Sequence, residues 1–310
     1  MYSIIERTVI FNWDFNEILN DTILNDIALC DKIVFNNYND LDTCLITDNK
    51  YSNEHHYKYS KFNQEINNLP SDIRNLTLGH SFNQEINNLP SSIINLILDY
   101  KFNKPIDNLP SSITDLTLGY KFNQRLDNLP SSITDLTLGY EFNQRLDNLP
   151  SSLINLTLDV CFNQRLDNLP HEIRDLTLGF YFNQRLDNLP SGIRDLTLGY
   201  EFNQPIDNLP HGIRNLTLDY KFNQPIDNLP SSLINLTLNS EFNQSLDNLP
   251  SSINKIIFKS HYENNVKFNQ EIKKIPPNLT LIDLSQIKNK SDLKKKFGKF
   301  NVEIIEYVSK

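Results

Sequence analysis

The sequence predicts a repeat solenoid of 20-residue units, each with one short parallel β-strand and an extended or tightly turned return segment, closed by irregular α/β caps. Three observations predict it. A Phe-Asn pair opens a unit at Phe62, Phe82, Phe102, Phe122, Phe142, Phe162, Phe182, Phe202, Phe222 and Phe242, and an eleventh copy follows at Phe268 after a spacing of 26. Within a copy only one stretch alternates, Leu136-Thr137-Leu138 in the unit that opens at Phe122, which is the period-2 mark of a strand with one buried face. The position just after that stretch holds Gly79, Asp99, Gly119, Gly139, Asp159, Gly179, Gly199, Asp219 and Asn239. These residue types tolerate turns and positive φ, so each strand should end at a sharp corner.

Taken in chain order, the first elements form a cap over residues 1–60, a degenerate repeat of helix plus strand. Ile18, Leu19, Ile23, Leu24 and Ile27 fall at helical spacing within residues 14–29, and Lys32–Phe35 reads as a strand. The repeating unit follows from its own residues. Phe122, Leu126, Leu129, Ile133, Leu136 and Leu138 are its apolar positions, while Asp127, Asn128 and Pro130 oppose a continuous helix. Asn-Leu-Pro should be extended or polyproline-like, and Ser131-Ser132 should open at most one tight turn. A unit of this size cannot cover its own apolar face, so each must stack on the next through parallel strands.

The spacing Ile133-x-x-Leu136-x-Leu138 fits the first half of the leucine-rich template, and Phe142-Asn143 replaces the second half. The phenylalanines are expected to point inward as a spine, and the asparagines to form an internal ladder that satisfies backbone groups in the turns. Leu279-x-x-Ile282-x-Leu284 is one last irregular repeat, which places the solenoid, of about eleven repeats, at residues 61–284. A C-terminal cap at 285–310 then holds a helix started by Ser291 and running to Phe297, and a closing strand from Val302 to Val308.

Phe-Asn-Gln-Pro-Ile-Asp-Asn-Leu-Pro, at Phe202–Pro210 and again at Phe222–Pro230, is followed each time by Leu-Thr-Leu and is similar to the FNIP repeat, a short relative of the leucine-rich repeats. The resemblance covers residues 61–284, about three quarters of the chain. It implies a protein–protein interaction scaffold of the kind found in amoebae and the giant DNA viruses that infect them, with no family-wide catalytic residue. It also implies an alternative for residues 1–60, a degenerate F-box that would make the chain a substrate-recognition adaptor for a ubiquitin ligase. An F-box usually starts with a Leu-Pro motif, and none precedes residue 60, so the cap is the preferred reading. A purely structural solenoid is a further alternative.

Composition narrows the class. No run of 18 apolar residues could cross a membrane, and Met1 to Asn12 lacks the basic start and apolar core of a signal peptide. Three scattered cysteines, Cys30, Cys44 and Cys161, argue for a reducing compartment: the cytoplasm (host cytosol if the chain is viral), with the nucleus as alternative. The net charge of −9 is uneven. Residues 1–60 carry 4 basic and 10 acidic side chains, residues 61–250 carry 13 and 22, and residues 251–310 carry 12 and 6. An acidic stack disfavours nucleic acid, which asks for a basic surface.

Candidate sites lie where the repeat varies. Asp115, Asp135, Asp175 and Asp195 precede the first strand leucine, Thr117, Thr137, Thr177 and Thr197 sit between the leucines, and Arg174, Arg194 and Arg214 form a row beside them. The aspartates and threonines face away from the core on the period-2 reading, and with the arginine row beside them they form the expected partner-binding face for an unidentified protein. A solvated surface could instead use the arginines only to offset the acids.

Asp107, Asp127, Asp147, Asp167, Asp187, Asp207, Asp227 and Asp247 stack on another face, where the expected role is local capping of donors in the Asp-Asn-Leu-Pro turn. The glycine-rich aspartate motif of calcium-binding β-rolls is absent. Residues 260–267 form an insertion, and Lys288, Lys290, Lys294, Lys295, Lys296 and Lys299 a basic cluster read as a solvated capping helix. No phosphate loop, Cys-x-x-Cys or His-Glu-x-x-His occurs, and neither His55-His56 nor Cys161 has matched partners in sequence. No enzyme, cofactor or metal is expected.

Overall fold

A computed structural model of the protein describes residues 2–35, 59–239, 241–260, 267–287 and 290–306. The chain divides into two units, residues 1–142 with 148–152 and residues 143–147 with 153–310, and each is a parallel β-solenoid. The first unit holds β1 (Tyr2–Ile5), β2 (Thr8–Phe11), α1 (Asp21–Asp26), β3 (Lys32–Phe35), β4 (Asn75–Leu78), β5 (Asn95–Leu98), β6 (Asp115–Leu118) and β7 (Asp135–Leu138). Strands pair in chain order. β1 and β2 form an antiparallel hairpin, turned at Glu6 with φ 55°, and every later pair in the unit is parallel. The repeats lie in strict register, Leu76 on Leu96 on Leu116 on Leu136, because a slip of one residue would turn both leucines of a strand out of the core.

The N-terminal segment differs from expectation in two ways. The hairpin strands β1 and β2 were not expected. The helix covers six residues rather than 14–29, because Asn20 caps it, its side chain accepting from the Ile23 N–H at 3.1 Å. Ile18 is left outside the helix and 69% exposed, while Leu19, Ile23 and Ile27 are buried. Lys32–Phe35 is the expected strand.

The second unit holds β8 (Asn155–Leu158), β9 (Asp175–Leu178), β10 (Asp195–Leu198), β11 (Asn215–Leu218), β12 (Asn235–Asn239), β13 (Lys255–Lys259), β14 (Leu281–Asp283), α2 (Ser291–Phe297) and β15 (Glu303–Ile305). All its strand pairs are parallel. Helix α2 has the expected bounds, Ser291–Phe297; Lys290 precedes it at the N-cap and makes no side-chain cap bond. Leu293 and Phe297 anchor α2 in the core, and Lys296 Nζ donates to the carbonyls of Asn269 and Gln270 at 3.0 and 2.8 Å. The closing strand spans Glu303–Ile305, shorter than expected because Val302 and Glu306 stand outside it; residues 307 and 308 of the expected stretch, the 261–266 part of the insertion and Lys288 lie outside the described residues.

The core is a column of phenylalanines. Rings from Phe62 to Phe142 in the first unit, and from Phe162 to Phe242 in the second, are at most 1% exposed, with neighbouring centroids 6.1–6.3 Å apart. Phe35 extends the first column, stacking on Phe62 at 3.8 Å. Of the six apolar positions in the repeat from Phe122, five are buried and Leu129 is half-buried.

Each unit turns back through two tight turns. The Ile93 N–H donates to the Pro90 carbonyl at 3.3 Å after Asn-Leu-Pro, and the Phe122 N–H to the Gly119 carbonyl at 3.3 Å at the strand exit. The corner is therefore sharp, as expected, but the glycines are not there for positive φ, which no described glycine adopts. They are there for approach. A Cβ on Gly119 would lie 2.6 Å from the Asp99 carbonyl carbon, and one on Gly199 would lie 2.1 Å from the Gly179 carbonyl oxygen.

Candidate functional site

The strand face is built by the two-residue period. With the leucines turned into the core, Thr117 and Thr137 in the first unit, and Thr177 and Thr197 in the second, stand half-buried on the outside. Register brings Asp115 beside Asp135 and Asp175 beside Asp195, one acidic pair in each unit. Each pair is handled differently. The Thr114 hydroxyl donates to Asp115, and the Thr134 hydroxyl to Asp135 Oδ2 at 2.7 Å. Asp195 instead accepts from the Asn215 side-chain amide. That amide row continues where acids are absent, Asn235 Nδ2 donating to Asn215 Oδ1 at 2.6 Å and Asn95 Nδ2 to Asn75 Oδ1 at 2.5 Å.

Arg174, Arg194 and Arg214 form one column in the second unit. The Arg194 N–H donates to the Arg174 carbonyl at 2.8 Å and the Arg214 N–H to the Arg194 carbonyl at 2.7 Å, so the three side chains leave consecutive repeats at the same place. Arg174 pairs with Glu172 at 3.6 Å. Among the described residues Arg194 and Arg214 make no ion pair.

The asparagine ladder is present, but at the surface rather than inside. In each unit the Asn backbone N–H donates to the side-chain oxygen of the preceding Asn at 2.8–3.0 Å, as from Asn83 to Asn63 and from Asn183 to Asn163. The next residue joins it, Gln84 Nε2 donating to the Asn63 carbonyl at 3.0 Å. One side chain thereby serves a backbone donor and a side-chain donor of its neighbour.

Among the described residues the aspartate stack bonds to side chains rather than capping its own turns. Asp127 receives Arg125 bidentately, Nε to Oδ2 at 2.9 Å and Nη2 to Oδ1 at 3.4 Å, and the same pairing recurs at Arg145–Asp147, Arg165–Asp167 and Arg185–Asp187. The following repeat contributes an amide, as from Asn128 to Asp107 and Asn228 to Asp207. Hydrogen bonding from Arg165 is the main reason the Asp167 carboxyl is held below the usual range. Of the basic cluster, Lys290 and Lys294 pair with Glu306 at 3.7 and 2.6 Å, and Lys296 is spent on backbone carbonyls.

One surface feature was not expected. The residue after each strand-exit corner is aromatic in most copies, and these rings stack. Tyr59, His80, Tyr100, Tyr120 and Tyr140 form a ladder in the first unit with centroids 4.3–4.5 Å apart, and Phe180, Tyr200 and Tyr220 form one in the second at 4.3 and 4.5 Å. The 20-residue recurrence of these aromatics was available in the sequence as a signal. Burial, aided by Lys101, pushes the His80 imidazole down to about 4 from its ordinary 6.5.

Nothing in this inventory is a constellation for chemistry. Among the described residues no cluster of His, Cys, Asp or Glu is arranged to hold a metal ion, and no helix is long and apolar enough to cross a membrane. The chain is a repeat solenoid of leucine-rich type, a fold commonly used to bind proteins and typically non-catalytic. Among solved structures it is similar to CroV588, described as a novel circular LRR protein, with 34% identity and a TM-score of 0.63 over 79% of this chain and 42% of that one. The chain thus spans less than half the length of that relative. It also matches YopM from Yersinia enterocolitica WA-314, with 21% identity and a TM-score of 0.36 over 71% of this chain and 57% of that one. No curated protein matches. The family model described as FNIP Repeat matches in overlapping stretches from residues 62–101 through 222–261, and the chain belongs to the FNIP-repeat family.

Proposed function

We propose that the chain is a non-enzymatic scaffold that binds a protein partner through its exposed strand face. The residues are Asp115, Thr117, Asp135 and Thr137 in the first unit, and Arg174, Asp175, Thr177, Arg194, Asp195, Thr197 and Arg214 in the second. One observation carries this reading. Core, turn and ladder positions repeat almost verbatim, whereas in the second unit the outward residue before each strand changes from Ile154 to Arg174, Arg194 and Arg214 and back to Ile234 without disturbing the register around it. Variation confined to a surface held by an invariant frame is where partner specificity can be written. Residues 1–60 and 285–310 act as caps in this reading, supported by the stacking of Phe35 on Phe62 and the anchoring of α2. The buried thiol of Cys30, held outside any disulfide, suits a reducing compartment such as the cytoplasm.

The test is proximity labelling in the natural host cell. The unchanged protein is compared with a variant carrying Arg174→Ser, Arg194→Ser and Arg214→Ser. Loss of the same labelled proteins is the expected result. Unchanged labelling would remove the strand face as the site and move it to the ends.

A further inference from the structure

The arginine column does not end in more polar residues. One repeat before Arg174 its position is taken by half-buried Ile154, and one repeat after Arg214 by Ile234, which is 38% exposed. The backbone bonds Arg174 N–H to Ile154 carbonyl and Ile234 N–H to Arg214 carbonyl, both 2.8 Å, place all five residues in one file across consecutive repeats. The file reads apolar, three guanidinium groups, apolar. Two of those groups lack an ionic partner among the described residues, and Asp195 beside them is engaged by Asn215.

The geometry points to a docking track for a short acidic segment of a protein, in extended conformation, with apolar residues at both ends. This rests on the scaffold reading above and names the chemistry of its partner. Neighbouring parallel strands lie about 4.8 Å apart, so Ile154 and Ile234 are separated by about 19 Å and the outer arginines by about 10 Å. An extended chain rises about 3.3 Å per residue, so side chains two apart share a face about 6.6 Å apart.

A segment of about seven residues therefore spans the file. Its first and last side chains meet the isoleucines, and two carboxylates, at its third and fifth positions, fall between adjacent guanidinium groups. Guanidinium favours carboxylate by charge and by its planar fork of donors. The neighbouring Asp175 and Asp195 would repel a segment displaced sideways, which fixes its line as well as its sign.

The experiment uses the full chain and fluorescently labelled peptides read by anisotropy. The probe is Leu-Ser-Glu-Ser-Glu-Ser-Leu. Its controls are the same peptide with Lys for Glu, and one with Ser for both Leu. The acidic probe should bind, the Lys peptide should not, and the Ser-ended peptide should bind several-fold more weakly. Arg194→Ser with Arg214→Ser should weaken the acidic probe about tenfold or more, since two charge-assisted contacts are lost. Circular dichroism of the variant should be unchanged, because both side chains lie on the surface.

No binding of the acidic probe, or equal binding by the variant, would overturn the proposal. So would inorganic polyphosphate binding as tightly as the peptide, which would make the file a plain anion patch. If the labelled partners of the strand face persist while the peptide fails to bind, the scaffold reading stands and this one falls.

Discussion

At the scale of single residues, the same chemical type serves different ends in neighbouring repeats. The strand-exit position takes Gly199 and, one repeat later, Asp219, so the backbone angle there does not select glycine. Contact does: at Gly199 the preceding repeat's carbonyl comes within 2.1 Å of where a Cβ would stand. Gly199→Ala is expected to cost about 1–3 kcal/mol, as overpacking against backbone does. It should be read as a lower urea midpoint with an unchanged slope; an unaltered midpoint would show that the approach is loose.

His80 is a residue whose ionisation the fold resists. Its ring is stacked between Tyr59 and Tyr100 at 4.3 and 4.5 Å, and its buried Nδ1 meets no hydrogen-bond partner among the described residues. The folded protein holds it down at about 4 against 6.5 in the unfolded chain, so the unfolded state takes up the proton first as pH falls. Stability from this group is complete above pH 6.5 and is lost between 6.5 and about 4. A fully desolvated ring would lose roughly 3 kcal/mol, and solvent screening of this half-exposed one reduces that to about 1 kcal/mol. His80→Tyr continues the ladder and removes the titration. Denaturation midpoints at pH 7.5 and 4.5 should therefore converge in the variant; an unchanged gap would place the acid sensitivity elsewhere.

At the scale of elements, the strands of the repeats were legible because one leucine pair turns inward in every copy and nothing else in the unit alternates. The limits of that legibility have physical causes. β1 has no buried residue, so no alternation marks it, and β2 offers only Val9 and Phe11 as inward positions. The helical spacing from Ile18 to Ile27 was real but included an exposed residue, and Asn20 stops the helix by offering its side chain to the Ile23 N–H.

The outward rows of the strand face were also legible, since period and register place Asp115 beside Asp135 and Arg174 beside Arg194. Their bonding was not. That Arg174 reaches Glu172, that Asp195 is held by Asn215, and that the aspartate stack trades bonds with arginine and the next repeat's asparagine depend on side-chain directions at the turns. The aromatic ladder lay open at the 20-residue period, but it sits at a corner, where neither strand nor helix periodicity draws attention to an aromatic.

At the scale of the whole chain, many of the 38 acidic side chains are compensated at short range in the Arg–Asp pairs and by the lysines of the C-terminal cap, and the net charge of −9 is the excess they leave. What the molecule requires is continuity of ladders, each defined only between neighbours. This has a consequence for deletions. Removing Asn183–Phe202 joins Phe182 to Asn203 and conserves every ladder: Asn203 takes the place of Asn183 before Asn163 Oδ1, and Asp175 meets Asn215 as it now meets Asp195. Removing only Asn183–Gly192 sets Ile193 directly after Phe182, where the register demands the Asn-Gln of the surface ladder, and the following strand arrives half a repeat early. The first variant should remain folded and cooperative, with a thermal midpoint lower by on the order of 5 °C, since one nearest-neighbour interface is lost. The second should lose cooperative melting and bind a hydrophobic dye, its repeats no longer able to stack. If both deletions melt alike in calorimetry, stability does not reside in repeat-to-repeat ladders and the account of this fold given by its period is wrong.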